Sequence, residues 1–228
     1  MAIIFHEGLP GAGKSYETCV YWILPALKNG RKVYAYVEGL NHDKFAELAG
    51  ISPDHCKELL IALNADQVKA VYDHVEKDAL VVIDELQNFF PANRAPLDER
   101  ITRFVTEHRH DGHDIICMGQ DLRDCHNLWK RRVTQKTIFL KRDGIGKADS
   151  YKWEVHKALP GKRDLNFQKI NSGVKPYDPA YFGLYKSHTD GTANYETLQD
   201  ERANIFATGL FRKTIPAVLV MAGVALWY

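Results

Sequence analysis

The sequence predicts an α/β protein whose mostly parallel sheet lies between helices, with an antiparallel hairpin at one edge. Three observations carry that expectation. Apolar, β-rich runs alternate with helical stretches over the first 120 residues, a glycine-rich turn joins the first strand to the first helix, and an apolar run near residue 80 ends in two acids.

Residues 2–6 are a short apolar run with β-branched and aromatic members, bounded by Gly8, as a buried strand requires. Residues 14–27 read as a helix. Residues 31–38, RKVYAYVE, alternate with the period of a strand, and 41–75 read as helical with breaks at Gly50, Pro53 and Asn64. Residues 79–83 are continuously apolar, the pattern of a parallel strand covered on both faces. Over 97–110, Leu97, Ile101, Phe104 and Val105 follow the helical period, with Asp98 and Glu99 in the first turn. Residues 115–118 are another buried strand, closing at Gly119-Gln120. Residues 133–141 and 150–157 alternate around Gly144 and Gly146 and pair as a hairpin. From 161 to 195 glycines and prolines dominate, so this stretch is expected to wrap the core as an extended tail without strands of its own.

Composition sets the outer limits. The chain has 228 residues, 45% of them apolar and 26% charged, which excludes a disordered or low-complexity protein. Its formal charge of +1 excludes a general polycation. Cys19, Cys56, Cys117 and Cys125 are scattered without a C-x-x-C pair, as free thiols of a reducing compartment are. Residues 1–8 lack the basic start and long apolar core of a secretory signal, so the N-terminal domain is expected in the cytosol. Near the other end, Arg212-Lys213 precede an uncharged apolar run over 215–228, shorter than the ~20 residues a membrane span needs.

The chemistry is concentrated in Gly8-Leu9-Pro10-Gly11-Ala12-Gly13-Lys14-Ser15, which matches G-x-x-x-x-G-K-[ST] between a strand and a helix. Such a loop turns its backbone N–H groups inward around phosphates, and the following helix adds its unpaired amides. Gly8, Pro10, Gly11, Ala12, Gly13, Lys14, Ser15 and Tyr16 are therefore the candidate nucleotide-binding residues, with Lys14 on the β and γ oxygens. Ser15 and Asp84 are the candidate magnesium ligands, and ATP with Mg²⁺ is the expected cofactor pair. Glu85 follows Asp84 at the strand end and is placed to orient or deprotonate an attacking water. The pair favours hydrolysis over small-molecule kinase chemistry, and the lack of N-K-x-D favours adenine over guanine. Gln120, at the end of the next strand, is a candidate catalytic residue that senses the γ-phosphate or holds the attacking water.

Other features remain open. His108, His110 and His113 do not have metal-site spacing and are expected on a polar surface. Arg94, Arg100, Arg103 and Arg109 are expected on the γ-phosphate side, each either a solvated side chain or a finger for a neighbouring subunit. Residues 123–163 carry twelve Lys and Arg against four acids, interleaved with Trp129, Tyr151 and Trp153. That region is a surface for stacking single-stranded DNA, a solvated strand edge with core aromatics, or a lipid-facing basic skirt.

The phosphate loop G-x-P-G-A-G-K-S, the strand ending Asp84-Glu85, the run His108-Arg109-His110-Asp111-Gly112-His113-Asp114-Ile115 before a strand ending in Gln120, and the apolar segment after Arg212-Lys213 resemble the zonula occludens toxin (Zot) family. That family is similar to the gene I assembly proteins of filamentous bacteriophages. The resemblance implies a phosphate-loop NTPase fold and an inner-membrane ATPase, related to FtsK-HerA motors, that drives assembly and export of phage single-stranded DNA. It implies an ATPase domain over 1–187, a linker or amphipathic segment over 188–210, and the start of a membrane helix over 211–228, with the N-terminus cytoplasmic. The implied partners are a homo-oligomeric ring, phage assembly and coat proteins, single-stranded DNA and the inner membrane. The alternative is a nucleotide-gated scaffold of the assembly complex that hydrolyses little.

Overall fold

The computed structural model describes residues 1–93, 95–143, 146–159 and 166–186. An eight-stranded sheet runs through the chain. Its strands are β1 (Ile3–Glu7), β2 (Val33–Tyr36), β3 (Leu60–Ala62), β4 (Leu80–Ile83), β5 (Asp114–Gly119), β6 (Val133–Lys141), β7 (Ser150–Ala158) and β8 (Phe167–Pro176), in the order β3-β2-β4-β5-β1-β6-β7-β8. β3 through β6 in that order are mutually parallel, and β7 and β8 are antiparallel additions. The predicted parallel sheet and antiparallel edge are both present.

Period-two alternation sends neighbouring residues to opposite faces. Val33, Ala35, Leu80, Val82, Ile116 and Met118 face one apolar layer. Tyr34, Val81, Ile83, Ile115 and Cys117 face the other. The first layer is completed by α1 (Lys14–Thr18) and α2 (Leu24–Lys28), joined by a π-helical stretch Cys19–Ile23, and by α3 (His42–Ala49) and α4 (Pro53–Leu59). Pro25 has no N–H to return to the carbonyl of Tyr21, which suits the wider turn there. α5 (Ala65–Lys69), α6 (Glu99–Glu107) and α7 (Asn127–Arg132) cover the second face through Val68, Ile101, Phe104, Val105 and Trp129. Each expected break in 41–75 has a local cause: Gly50 is a left-handed C-cap, Ser52 caps the helix that opens with Pro53, and Asn64 forms a capping box with Gln67.

Several expectations need correction, and one helix was not foreseen. Leu60–Ala62 is an edge strand, because Leu60 pairs with Val33 in β2. α7 was not legible in a run as basic as NLWKRR. The tail expected to lack strands contributes β8, which pairs with β7 along its length; residues 177–186 pack on the core, and 161–165 and 187–195 lie outside the described residues. The histidines expected on the surface divide: His108 and His113 are buried, with His108 Nδ1 2.9 Å from the Val105 carbonyl, and His110 is exposed.

The H-R-H-x-G-x-D-I run has a structural task. It ends α6 and starts β5 at Asp114, where Arg31 bonds the Asp114 carboxylate at 2.8 Å and the Asp78 and Gly112 carbonyls. Because β5 is parallel to β1, this turn lies at the opposite end of the sheet from the loop that follows β1. Arg109 is therefore not on the γ-phosphate side. Arg100 pairs with Asp73, Arg103 pairs with Glu107, and Arg94 lies outside the described residues. The linker and membrane segment expected over 188–228 lie outside them too. Among the described residues no helix is long and apolar enough to cross a membrane.

Candidate nucleotide site

The strands β1, β4 and β5 end side by side, and the segments leaving those ends meet one another. After β1 the chain turns through residues 8–13 into α1. Gly8 donates its N–H to the Gly119 carbonyl at the end of β5, 3.2 Å away. On its other side a Cβ at residue 8 would lie 2.6 Å from the Phe139 carbonyl oxygen of β6, so only glycine lets the loop start between the two strands. Gly13, at φ 102°, is the N-cap of α1, a backbone conformation open to glycine at little cost.

Lys14 is buried, and its Nζ donates to the carbonyls of Gly8 at 2.8 Å and Leu9 at 3.3 Å. The ammonium is thus folded back onto its own loop. Burial lowers its pKa, while Glu85 and Asp84 pull it back up. Beneath it His6 is buried with Nδ1 2.8 Å from the Thr18 hydroxyl, and burial together with Lys14 holds the imidazole at about 3, hence neutral. Tyr16 contributes only its backbone to the loop side. Its ring is buried edge-on to Tyr177, 5.0 Å between centroids, and its hydroxyl accepts the Asp178 N–H at 2.9 Å.

The acid pair closes the other side. The Ser15 hydroxyl donates to Asp84 Oδ2 at 3.4 Å, and Asp84 Oδ1 accepts the Glu85 N–H at 2.9 Å. Burial, and then the charge of Glu85, push the Asp84 carboxyl up to about 6. Glu85 has the left-handed backbone φ 48°, ψ 53°, a costly conformation for a side-chain-bearing residue. Gln87 Nε2 donates to Glu85 Oε2, and Gln87 Oε1 is buried without a partner against Gly119. Sequence reasoning missed Gln87; its trace was an amide two residues beyond the acid in D-E-L-Q. Gln120 follows Gly119, which touches both Gly8 and Gln87, and it is exposed. The structure therefore brings Lys14, Ser15, Asp84 and Glu85 together and sets Gln120 at the rim.

Ser15 and Asp84 offer two hard oxygens, one of them anionic, and no group of three metal-ligating side chains occurs among the described residues. That donor set fits a magnesium ion that takes the rest of its shell from phosphate and water.

Holding Asp84 charged costs stability. Its folded pKa of about 6 lies above the ordinary 3.8, so the folded state binds the extra proton and stability falls as pH rises from about 4 through 6. Asp84→Asn should remove this slope and, without magnesium or nucleotide, stabilise the protein at pH 8 by about 1–3 kcal/mol. Urea unfolding of both proteins at pH 5 and pH 8 checks the sign; a variant less stable than wild type at pH 8 contradicts it.

The strands β6–β8 add a wall where the sequence predicts only a hairpin. The Tyr151 hydroxyl donates to Glu17 Oε2 on α1, Lys175 Nζ reaches Glu17 Oε1 at 3.0 Å, and burial and Glu17 raise the Tyr151 pKa. Lys136 pairs with Glu7 at 2.9 Å. Tyr177 follows β8 and packs at the loop end, its hydroxyl 2.8 Å from where a Cβ on Gly13 would be.

Comparisons with known proteins show the family and the fold. The family model "Zonular occludens toxin (Zot)" matches residues 2–192. The chain is 32% identical to the Gene 1 protein of Xanthomonas phage phiLf over 99% of its own length and 53% of the relative's. It is 30% identical to the putative assembly protein ORF301 of Pseudomonas phage Pf3, over 78% of this chain and 56% of that one. It thus spans about half the length of the curated relatives it matches. Among solved structures, the N-terminal domain of zonular occludens toxin from Neisseria meningitidis superposes with TM-score 0.54 at 20% identity, covering 81% of this chain and 98% of that one. The genome packaging NTPase B204 from Sulfolobus turreted icosahedral virus 2, in complex with AMP, gives TM-score 0.52 at 12% identity over 75% of this chain and 96% of that one. At these identities the likeness is one of fold alone. With the family model matched across nearly all of the described residues, the chain belongs to the Zot family.

Proposed function

We propose that the chain is the ATP-hydrolysing domain of a membrane-anchored, oligomeric motor that assembles and exports filamentous phage. The observation that carries the reading is the convergence of Lys14, Ser15, Asp84 and Glu85, from two separate strand ends, on one side of the phosphate loop. The names of the phiLf and Pf3 relatives supply the phage setting, and the B204 neighbour is named for genome packaging.

The chemistry is in-line attack of water on the γ-phosphate. Lys14 leaves the Gly8 and Leu9 carbonyls for the β and γ oxygens, and the loop N–H groups take up the charge that develops. Ser15 and Asp84 would hold a magnesium ion, which would supply further positive charge at the phosphates. Glu85 accepts the proton of the attacking water once it turns from Gln87, and Gln120 is placed at the rim to read the γ-phosphate. The N-terminal domain sits on the cytoplasmic face of the inner membrane, and the partners are further copies of the chain, phage assembly and coat proteins, and single-stranded DNA.

Hydrolysis and its coupling are tested together by measuring turnover at rising protein concentration, with and without single-stranded DNA. A motor gives turnover that rises with self-association and DNA. Tight ATP binding with no turnover under any condition favours the nucleotide-gated scaffold, for which the hold of Gln87 on Glu85 gives a physical basis.

A further inference from the structure

Most of the lysines that β6–β8 bring toward the sheet have a counter-charge. Lys136 pairs with Glu7 at 2.9 Å and Lys175 with Glu17 at 3.0 Å. Lys152 and Lys169 share Glu154, at 2.7 and 2.9 Å. Lys141, the last residue of β6, differs. Its backbone pairs with Tyr151, but its side chain makes no hydrogen bond or ion pair among the described residues.

Lys141 is exposed, yet its side chain lies over the loop. A Cβ built on Gly11 would lie 2.8 Å from Lys141 Nζ and 2.9 Å from Cε, so the ammonium rests against the phosphate loop itself. Holding a long cationic chain there costs rotamer entropy, and no described side chain or carbonyl offers it a partner. An anion held by the same loop, beside Lys14 and the loop N–H groups, would supply that partner.

We infer that Lys141 is a second phosphate-directed cation of the site, supplied by the strand extension, and that it favours nucleotides in proportion to their phosphate charge. The inference rests on the nucleotide-binding reading above and deepens it. Lys14 is part of the loop motif and serves any phosphate seated there. Lys141 comes from another strand and adds charge at Gly11, so its contribution is greatest for a triphosphate and least for a monophosphate.

The test is equilibrium binding of ATP, ADP and AMP, with magnesium, to the full chain and to Lys141→Met, Lys141→Arg, Lys147→Met and Lys14→Ala, with thermal unfolding as the check on folding. Lys147 is an exposed lysine in the same hairpin. Lys141→Met should raise the Kd for ATP about five- to tenfold, that for ADP less, and that for AMP hardly at all. Lys141→Arg should restore ATP binding, and Lys147→Met should match wild type. An unchanged ATP Kd in Lys141→Met overturns the inference while leaving the site reading intact. Equal losses for all three nucleotides overturn it too, because they mean that Lys141 only shapes the loop. A wild-type chain that binds no nucleotide, or a Lys14→Ala variant that binds ATP normally, overturns the site reading and this inference with it.

Discussion

Glu85→Gln should lower steady-state ATP turnover by about 10²–10⁴-fold and leave ATP bound, because it removes the proton acceptor and little else. The amide keeps the volume of the carboxylate and still accepts a hydrogen bond from Gln87 Nε2. It also removes the charge that helps to push the Asp84 carboxyl up to about 6. Asp84 is then ionised over a wider pH range, so the variant should hold magnesium and nucleotide at least as well as wild type. Turnover measured beside the binding of a fluorescent ATP analogue separates the two effects. Hydrolysis by Glu85→Gln at the wild-type rate would mean that another group takes the proton.

Lys14→Ala should abolish both ATP binding and turnover, with a loss of at least about 100-fold in each. The ammonium is desolvated and turned onto the Gly8 and Leu9 carbonyls, close to where phosphate oxygens would replace those acceptors. Removing it leaves the loop without a cation of its own. The fold should persist, with an unfolding free energy within about 2 kcal/mol of wild type, since the loop is also held by the Gly8 bond to Gly119 and by its contact with β6. Nucleotide binding and urea unfolding on the same preparation check this. A variant that is fully folded and binds ATP normally would remove the phosphate-binding role from Lys14.

The residues that mark the site were legible because their local pattern and their chemistry coincide. The glycines at 8, 11 and 13, the lysine after them and the acids after a fully apolar strand occupy fixed spacings, and the fold joins them by bringing the ends of β1 and β4 to one edge. The parallel sheet was legible for a related reason, since strands covered on both faces are apolar at nearly every position, as Leu80–Ile83 shows. β8 was not. Most of its residues are exposed, so Phe167–Pro176 carries no apolar alternation, and Gly173, which reads as a loop residue, is required there because a Cβ would lie 2.6 Å from the Trp153 ring. What β8 hides in sequence it also hides in function: the wall it completes seats Tyr177 at Gly13 and Lys175 on Glu17, contacts between residues far apart in the chain.

Gln87 and the H-R-H-x-G-x-D-I run teach opposite lessons. An unremarked amide holds Glu85, while a run distinctive enough to suggest the family serves the far end of the sheet, tying α6 to β5 through Arg31 and Asp114. Distinctiveness in sequence marks a geometrically demanding turn as readily as a catalytic group. Charge alone was also ambiguous. The basic stretch expected to be a surface patch includes Lys136, Lys152 and Lys141, which the fold sends to an acid of β1, an acid of β7 and the phosphate loop respectively.

The most direct test of the central claim is a single-turnover experiment in which wild-type protein is loaded with less than one equivalent of ATP, magnesium is added, and phosphate release is followed. The arrangement of Lys14, Ser15, Asp84 and Glu85 predicts release of one phosphate for each ATP bound, abolished in Glu85→Gln. ATP that stays bound and intact in the wild-type protein would contradict the hydrolytic assignment and leave the site as a nucleotide-binding device.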